Sequence, residues 1–130
     1  MALNILVVDD SSVMRAIIIK TLRLSQLPLG EVHEATNGQD ALKVVEGHWI
    51  DLALVDINMP VMDGEEMITR LRQNPATADL PVIIVSTEGS DTRREALRQK
   101  GAGFVQKPFT PEALRDAVLG TLGGLHDQKD

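Results

Sequence analysis

Four short runs of aliphatic residues constrain the fold of this chain more than any other feature. They are ILVV at 5–8, LALV at 52–55, VIIV at 82–85 and the weaker GFVQ at 103–106. Continuous apolar runs of this length are typical of strands that are buried on both faces of a parallel sheet. A fifth segment, EVHEA at 31–35, alternates polar with apolar residues and predicts an edge strand. We therefore expect a sheet of five strands.

Helix patterns separate the predicted strands. In three other segments, mostly apolar residues at helical spacing share one face. They are Met14, Ile17, Ile18, Thr21 and Leu22, then Met67, Ile68 and Leu71, and finally Leu114, Ala117, Val118 and Thr121. Asn37 and the pair Thr110–Pro111 are start signals for the second and the last helix. The fourth helix, SDTRREALRQKG at 90–101, has only Ala96 and Leu97 as an apolar face, so it should be weakly anchored. Alternating strands and helices predict an α/β, doubly wound parallel sheet.

Composition and charge exclude several kinds of protein. With 19 acidic and 13 basic residues the net charge is -6, which argues against binding to nucleic acid or to an anionic membrane. There is no cysteine, so we expect neither a disulfide nor a thiolate metal site. No signal segment or long apolar span is present, and a cytoplasmic location is expected. We expect one domain over 1–122, followed by a short polar tail at 123–130.

Polar residues follow the strands at the edge of the sheet where ligands bind in folds of this class. They are Asp9 and Asp10 after the first strand, Asp56 after the third, Ser86 and Thr87 after the fourth, and Lys107 after the fifth. Because the carboxyl ends of parallel strands lie along one edge, these side chains should converge. Taken alone, the acidic pair is better explained as a turn or a helix cap, with Asp10 or Ser11 as the capping residue. The joint order of all these residues favours a functional site.

In this order and spacing the residues resemble the response-regulator receiver domains of two-component signalling. The resemblance spans residues 3 to about 122 and is based on VDDSSVMR, VDINMPVMDG, IIVSTEG and VQKPF. VDDSSVMR is most similar to the chemotaxis-type, single-domain members. The resemblance implies a flavodoxin-like (βα)5 fold with strand order 2-1-3-4-5. It also implies a switch that catalyses its own phosphorylation and dephosphorylation, and not an enzyme with a separate substrate.

A metal site accompanies this resemblance. Three carboxylates about 4 Å apart repel one another by roughly 4 kcal/mol per pair at an effective dielectric constant near 20, and a divalent cation relieves that repulsion. An all-oxygen site suits Mg²⁺, or Mn²⁺ as a substitute, better than Zn²⁺. We expect Asp9 and Asp10 to hold the metal, and the resemblance implies that the Asp56 carboxylate and the backbone carbonyl of Asn58 complete the protein ligands.

The chemistry of the remaining residues is implied by the same resemblance. Asp56 is the expected phosphoacceptor, because a carboxylate can attack a phosphoryl group to form an acyl phosphate. Lys107 and Ser86 are expected to bind the phosphoryl oxygens. Ser86 and Phe104 are the expected switch residues, although many members of the family have tyrosine at the position of Phe104. The resemblance also implies that the Lys107–Pro108 peptide bond is cis.

The resemblance further identifies the residues and partners that regulate the switch. Asn58, Thr87 and Glu88 are expected to modulate dephosphorylation. The expected phosphoryl donor is a sensor histidine kinase or a phosphotransfer protein. The expected target is another protein, a motor or a kinase relay, which binds the surface of the fourth helix, the fifth strand and the fifth helix. No nucleic acid or membrane partner is expected.

Two other functions share parts of this pattern. A flavin mononucleotide carrier could have the same fold, but it needs phosphate donors after the first strand, where this chain has DDSS. A phosphohydrolase of the haloacid dehalogenase type also uses an aspartate at a strand end. Its motif, however, has a second acidic residue two positions after the first, and this chain has Asn58 at that position after Asp56. An absorption spectrum and an assay with phosphate esters would distinguish these functions.

Overall fold

The computed structural model describes residues 2–56, 64–86, 95, 98–99, 101–107 and 109–127. Its strands are β1 (Leu3–Val8), β2 (Leu29–Ala35), β3 (Leu52–Asp56), β4 (Val82–Ser86) and β5 (Ala102–Gln106). Its helices are α1 (Ser12–Leu24), α2 (Gly38–Gly47), α3 (Gly64–Gln73) and α4 (Pro111–Asp127). Helix α4 is the predicted fifth helix. Within the predicted fourth helix only Glu95, Arg98 and Gln99 are described as helical, and most of that segment lies outside the described residues.

The five strands form one parallel sheet in the order β2-β1-β3-β4-β5. This confirms the predicted α/β class and strand order, including the position of β2 at an edge. In the register of the central strands, Val8 lies beside Val55. The carboxyl ends of β1 and β3 are therefore neighbours.

Alternate residues of the central strands pack into two separate core layers. The layer that contains α2 and α3 includes Leu6, Val8, Ala53, Val55, Val82, Ile84, Met67, Ile68 and Leu71. The layer that contains α1 and α4 includes Ile5, Val7, Leu52, Leu54, Ile83, Val85, Ile18, Leu22, Leu114 and Val118. Because helices cover both faces of the sheet, the central strands β1, β3 and β4 need apolar residues on both faces. Ile17, predicted on the buried face of α1, is instead 49% exposed.

Side chains cap the helices where the sequence predicted starts. The Asn37 side chain accepts a hydrogen bond from the Asp40 backbone N–H at 2.8 Å, at the start of α2. The Thr110 hydroxyl accepts one from the Ala113 N–H at 3.0 Å, directly before α4. Helix α4 continues to Asp127, five residues past the predicted domain boundary, because glycine disfavours a helix but does not stop it as proline does. None of the helices in the described part of the chain combines the length and apolarity that crossing a membrane requires.

Candidate functional site

The sheet register brings two of the predicted site residues together. Asp56 is the last residue of β3, and Asp9 follows Val8 at the end of β1. Val8 of β1 pairs with Val55 of β3, and Asp9 and Asp56 are the residues that follow them. The two aspartates therefore lie side by side at the carboxyl ends of the strands. The Asp9 backbone N–H donates to the Ala35 carbonyl oxygen at 3.1 Å, which continues the pairing with β2. The site is therefore fixed to the central strands.

Three carboxylates converge at this edge, as the sequence predicts. Oxygens of Asp9, Asp10 and Asp56 all lie within 4.8 Å of one another. Asp9 is buried, with 2% of its surface exposed, whereas Asp10 is exposed and Asp56 is half-buried. The cluster thus opens to solvent through Asp10 and is closed beneath Asp9.

Lys107 reaches the same cluster from the end of β5. Its Nζ lies 3.6 Å from Asp9 Oδ2 and 3.9 Å from Asp56 Oδ1. Both contacts are ion pairs, and their distances are longer than those of good hydrogen bonds. The side chain is only 16% exposed, so its ammonium group is directed into the cluster rather than into solvent.

The two carboxylate oxygens of Asp9 have different surroundings. Oδ1 accepts a hydrogen bond from the Ser11 backbone N–H at 2.9 Å. Oδ2 is buried and has no hydrogen-bond donor among the described residues, and its ion pair with Lys107 is longer than a hydrogen bond. A buried acceptor without a donor is costly, and a cation can satisfy it.

The donor set of this cluster fits a hard divalent cation. Three ionised carboxylates against one ammonium give a formal charge of -2, and every candidate ligand atom is oxygen. Mg²⁺ and Mn²⁺ prefer such ligands, and Mg²⁺ keeps several waters beside one or two carboxylates. The unsatisfied Asp9 Oδ2 is the feature that most directly indicates a metal ligand.

The hydrogen bonds at the start of α1 show which residue caps this helix. The Ser11 hydroxyl accepts a hydrogen bond from the Met14 N–H at 3.2 Å, so Ser11 is the N-cap. Asp10 is therefore not needed as the helix cap, and its carboxylate belongs to the acidic cluster. The explanation of the pair as a simple helix cap applies to neither aspartate.

Arg15 is a residue of this site that the sequence did not reveal. Its Nη1 donates to the Asp9 carbonyl oxygen at 2.7 Å, and its Nε donates to Glu34 Oε1 at 2.9 Å. The side chain is 14% exposed and links α1, β2 and the end of β1. A cation near a helix N-terminus opposes the helix dipole, and this misplaced charge is the signal that could have identified it.

The remaining predicted site residues are only partly described. Ser86 ends β4 at the same edge of the sheet, but its side chain lies outside the described part. Phe104 is half-buried in β5, where it pairs with Ile84 and packs against the core layer of α2 and α3. Three predicted residues, Asn58, Thr87 and Glu88, lie outside the described residues, as does Pro108 with its predicted cis bond.

Comparison with known proteins finds one family along nearly the whole chain. The model of the response regulator receiver domain matches residues 5–119. A chemotaxis protein CheY homolog from Campylobacter jejuni is 36% identical over 125 residues, which are 93% of each chain. The solved structure of chemotaxis protein CheY4 from Vibrio cholerae is 32% identical, with a TM-score of 0.79, over 95% of this chain and 98% of that chain. A putative response regulator from Chloroflexus aurantiacus is 28% identical, with a TM-score of 0.84, over 95% and 99% of the two chains.

Proposed function

The chain belongs to the response regulator receiver family, and from that membership we propose that it is a phosphoacceptor switch of the chemotaxis type. In this proposal Asp56 accepts a phosphoryl group, and the phosphorylated protein signals by binding another protein. The observation that carries the proposal is the position of Asp56 within 4.8 Å of two further carboxylate ligands and 3.9 Å from the Lys107 ammonium.

The proposed reaction is a phosphoryl transfer to a carboxylate oxygen. An oxygen of Asp56 forms a bond to phosphorus, while the bond from phosphorus to the donor's leaving group breaks and the leaving group takes up a proton. Lys107, which lies beside Asp56, would bind a phosphoryl oxygen of the product, and the Ser86 hydroxyl would donate to another. When bound, Mg²⁺ supplies positive charge that offsets the carboxylates and the phosphoryl oxygens.

The residues that would hold this metal are those of the acidic cluster. Asp9, Asp10 and Asp56 would supply carboxylate oxygens, and the Asn58 backbone carbonyl would complete the set. The buried Asp9 Oδ2, which lacks a hydrogen-bond donor among the described residues, supports this assignment. Mn²⁺ would substitute for Mg²⁺, because it accepts the same ligands.

The proposed switch couples the site to the surface formed by the predicted fourth helix, β5 and α4. Ser86 would move toward the phosphoryl group, and Phe104 would repack. Phe104 and Lys107 are three residues apart on and just after β5, so one short segment joins the phosphoryl-binding lysine to this surface. Since phenylalanine has no hydroxyl group, its change would be one of packing alone.

Dephosphorylation would depend on side chains around the line of attack of water on phosphorus. Asn58 and Glu88 are polar and could orient that water, which favours fast self-dephosphorylation. Thr87 is bulkier than the alanine or glycine often found at this position in the family, and it would obstruct the approach.

The proposed partners are those that the family and the relatives suggest. The phosphoryl donor would be a sensor histidine kinase or a phosphotransfer protein. The target would be a motor protein or a member of a kinase relay, since two of the similar proteins are named as chemotaxis proteins. The receiver domain would span 1–122, and a cytoplasmic location stays a prediction.

Chemical phosphorylation tests the proposed acceptor. Incubation with acetyl phosphate or phosphoramidate and Mg²⁺ should add one phosphoryl group to the wild-type chain, as intact-protein mass spectrometry would measure. Asp56→Asn should abolish the addition, whereas Asp116→Asn, an exposed carboxylate on α4, should leave it unchanged. Equal labelling of Asp56→Asn and wild type would refute the assignment.

A further inference from the structure

A concave surface lies at the amino-terminal ends of the strands, opposite the acidic cluster at their carboxyl ends. It is a groove of about 500 Å³ beside the residues that precede β3 and β4, and its walls come from the end of α2 and from the segment after α3. Asp51, which lines the groove, precedes Asp56 by five residues along β3, a length of about 16 Å. The groove is therefore distinct from the proposed phosphorylation site. We call it the Trp49 groove.

The side chain of Trp49 at this groove is exposed but held in place. Trp49 is the only tryptophan in the chain, and 77% of its surface is exposed. Its indole Nε1 donates to Asp51 Oδ1 at 2.9 Å, and Asp51 Oδ2 accepts from the Asn4 backbone N–H at 2.8 Å. A tryptophan usually stabilises the folded protein by burying its large apolar surface, and an exposed tryptophan does not contribute in this way. A fixed, exposed indole is instead suited to contact with another molecule.

The charges around the groove indicate the chemistry of that molecule. Its lining includes the carboxylates Glu46, Asp51 and Asp79, and the only basic side chain among the described lining residues is His48. Burial lowers the pKa of the Arg72 guanidinium, and the nearby Asp79 carboxylate partly offsets this lowering, so part of the charge of Asp79 is already balanced by Arg72. Glu46 is exposed at the end of α2, and its carboxylate faces solvent.

An aromatic ring with carboxylates beside it is a combination that binds cationic side chains. A guanidinium group stacks on an indole and pairs with carboxylates in the same plane, and it is less strongly hydrated than an ammonium group. We propose that the Trp49 groove binds an arginine side chain in an exposed segment of a partner protein. This interaction is separate from phosphorylation, because its residues lie at the other edge of the sheet.

A peptide titration followed by ¹⁵N NMR tests this proposal. The probe is the blocked peptide Ala-Arg-Ala-Arg-Ala, and the control replaces both arginines with citrulline, which has nearly the same shape but no charge. The arginine peptide should cause saturable shifts of the single indole N–H and of the backbone amides of residues 46–51. The citrulline peptide should bind several-fold more weakly, roughly threefold to tenfold, because it lacks the cationic contact. Equal binding of the two peptides, or no saturable shift with either, would overturn the proposal.

Matched variants assign the binding to named side chains. Glu46→Gln should lower the affinity for the arginine peptide roughly twofold to fivefold, and Trp49→Ala should lower it at least as much. The shifts of the backbone amides in a titration would measure both affinities. Glu112→Gln removes an exposed carboxylate from α4, far from the groove in the sequence, and should leave the affinity unchanged. A comparable loss in Glu112→Gln would indicate only a general attraction of the acidic chain for a cation and would contradict the site.

A second copy of the chain is the competing occupant of this surface. If a second copy of the chain covered the groove, the indole N–H would shift with protein concentration in the absence of peptide, and Trp49→Ala would lower the sedimentation coefficient. That result would replace the arginine proposal. The Asp56→Asn variant should bind the peptide as wild type does, so the groove and the phosphoacceptor are tested independently.

Discussion

Asp10 is the exposed member of the acidic cluster, and this exposure predicts the effect of removing its charge. Asp10→Asn relieves repulsion with two neighbouring carboxylates and disrupts no buried ion pair. In the absence of metal, we expect Tm to rise by about 3 °C, after allowance for solvent screening. The affinity for Mg²⁺ should fall at least about tenfold. Differential scanning calorimetry without metal and isothermal titration with Mg²⁺ would measure the two effects.

Asp9→Asn provides the comparison for this prediction. Asp9 is buried and its Oδ2 pairs with Lys107, so loss of its charge also removes a buried ion pair. We therefore expect a smaller gain in Tm from Asp9→Asn than from Asp10→Asn, with a similar loss of Mg²⁺ affinity. An unchanged Mg²⁺ affinity in both variants would contradict the metal site.

Arg15 should act as a positioning residue for the metal ligands. Its hydrogen bond to the Asp9 carbonyl oxygen holds the turn that carries the acidic pair, and its ion pair with Glu34 fixes the guanidinium. Arg15→Ala should lower Mg²⁺ affinity about tenfold, because residues that orient ligands commonly have effects of this size. Arg23→Ala, an exposed arginine in the last turn of the same helix, is the control and should not change the affinity. Titration calorimetry with equal Mg²⁺ affinity in Arg15→Ala and wild type would exclude the role.

The predictability of this site differs from residue to residue. The convergence of Asp9, Asp10, Asp56 and Lys107 could be predicted, because the strand ends of a parallel sheet share an edge and these residues lie at the ends of recognisable strands. The charge of Arg15 near the start of α1 was the one signal for this residue, and its contacts could not be predicted, because its partners are a backbone carbonyl and a side chain on β2, which only the tertiary fold brings to it. Sequence patterns therefore identify a residue at the end of an element more readily than a side chain that reaches across from another element.

At the scale of elements, the end of α1 contains a strained residue. Gln26, directly after the C-cap Ser25, has φ = 65°, a left-handed conformation that favours glycine. Gln26→Gly should raise the free energy of unfolding by about 0.5–1 kcal/mol, after allowance for the greater flexibility of glycine in the unfolded chain. Chemical denaturation would measure this change.

Lys20→Gly is the matched control for this substitution. Lys20 is exposed in the middle of α1, where its helical backbone gains nothing from glycine. It should lower the free energy of unfolding by about 1 kcal/mol. If both glycine substitutions destabilise the protein equally, the left-handed conformation of Gln26 is not a source of strain.

The elements themselves were more predictable than their ends. Continuous apolar runs identified the central strands β1, β3 and β4, because helices on both faces require apolar residues on both faces of these strands. Asn37 and Thr110 marked helix starts correctly, since capping depends on local hydrogen bonds. Helix α4 continues five residues past the predicted domain boundary, and the exposure of Ile17 was missed, because neither is determined by local spacing.

At the scale of the whole molecule, phosphorylation should change one side of the sheet and not the other. Phosphorylation of Asp56 should alter amide hydrogen exchange in β5, in the predicted fourth helix and at the start of α4. These elements carry Phe104 and adjoin Lys107. Amide hydrogen exchange in β2 and around Trp49 should be the same in the phosphorylated and the unphosphorylated protein. Mass-spectrometric exchange with and without acetyl phosphate would measure both regions, with Asp56→Asn as the unphosphorylated control. Unchanged exchange in β5 and α4 would refute this route of signalling.

Because Val8 pairs with Val55, the proposed metal site can report whether β1 and β3 have paired in the native register. Asp9 and Asp56 lie together only when β1 and β3 pair in this register, since a shift by one residue would turn Asp56 toward the other face of the sheet. A chain that refolded with slipped strands would retain almost the same circular dichroism spectrum, but we expect it to lose the proposed binding of a divalent cation. A simple cation titration would then distinguish native from misregistered protein in a preparation where spectroscopy of secondary structure could not.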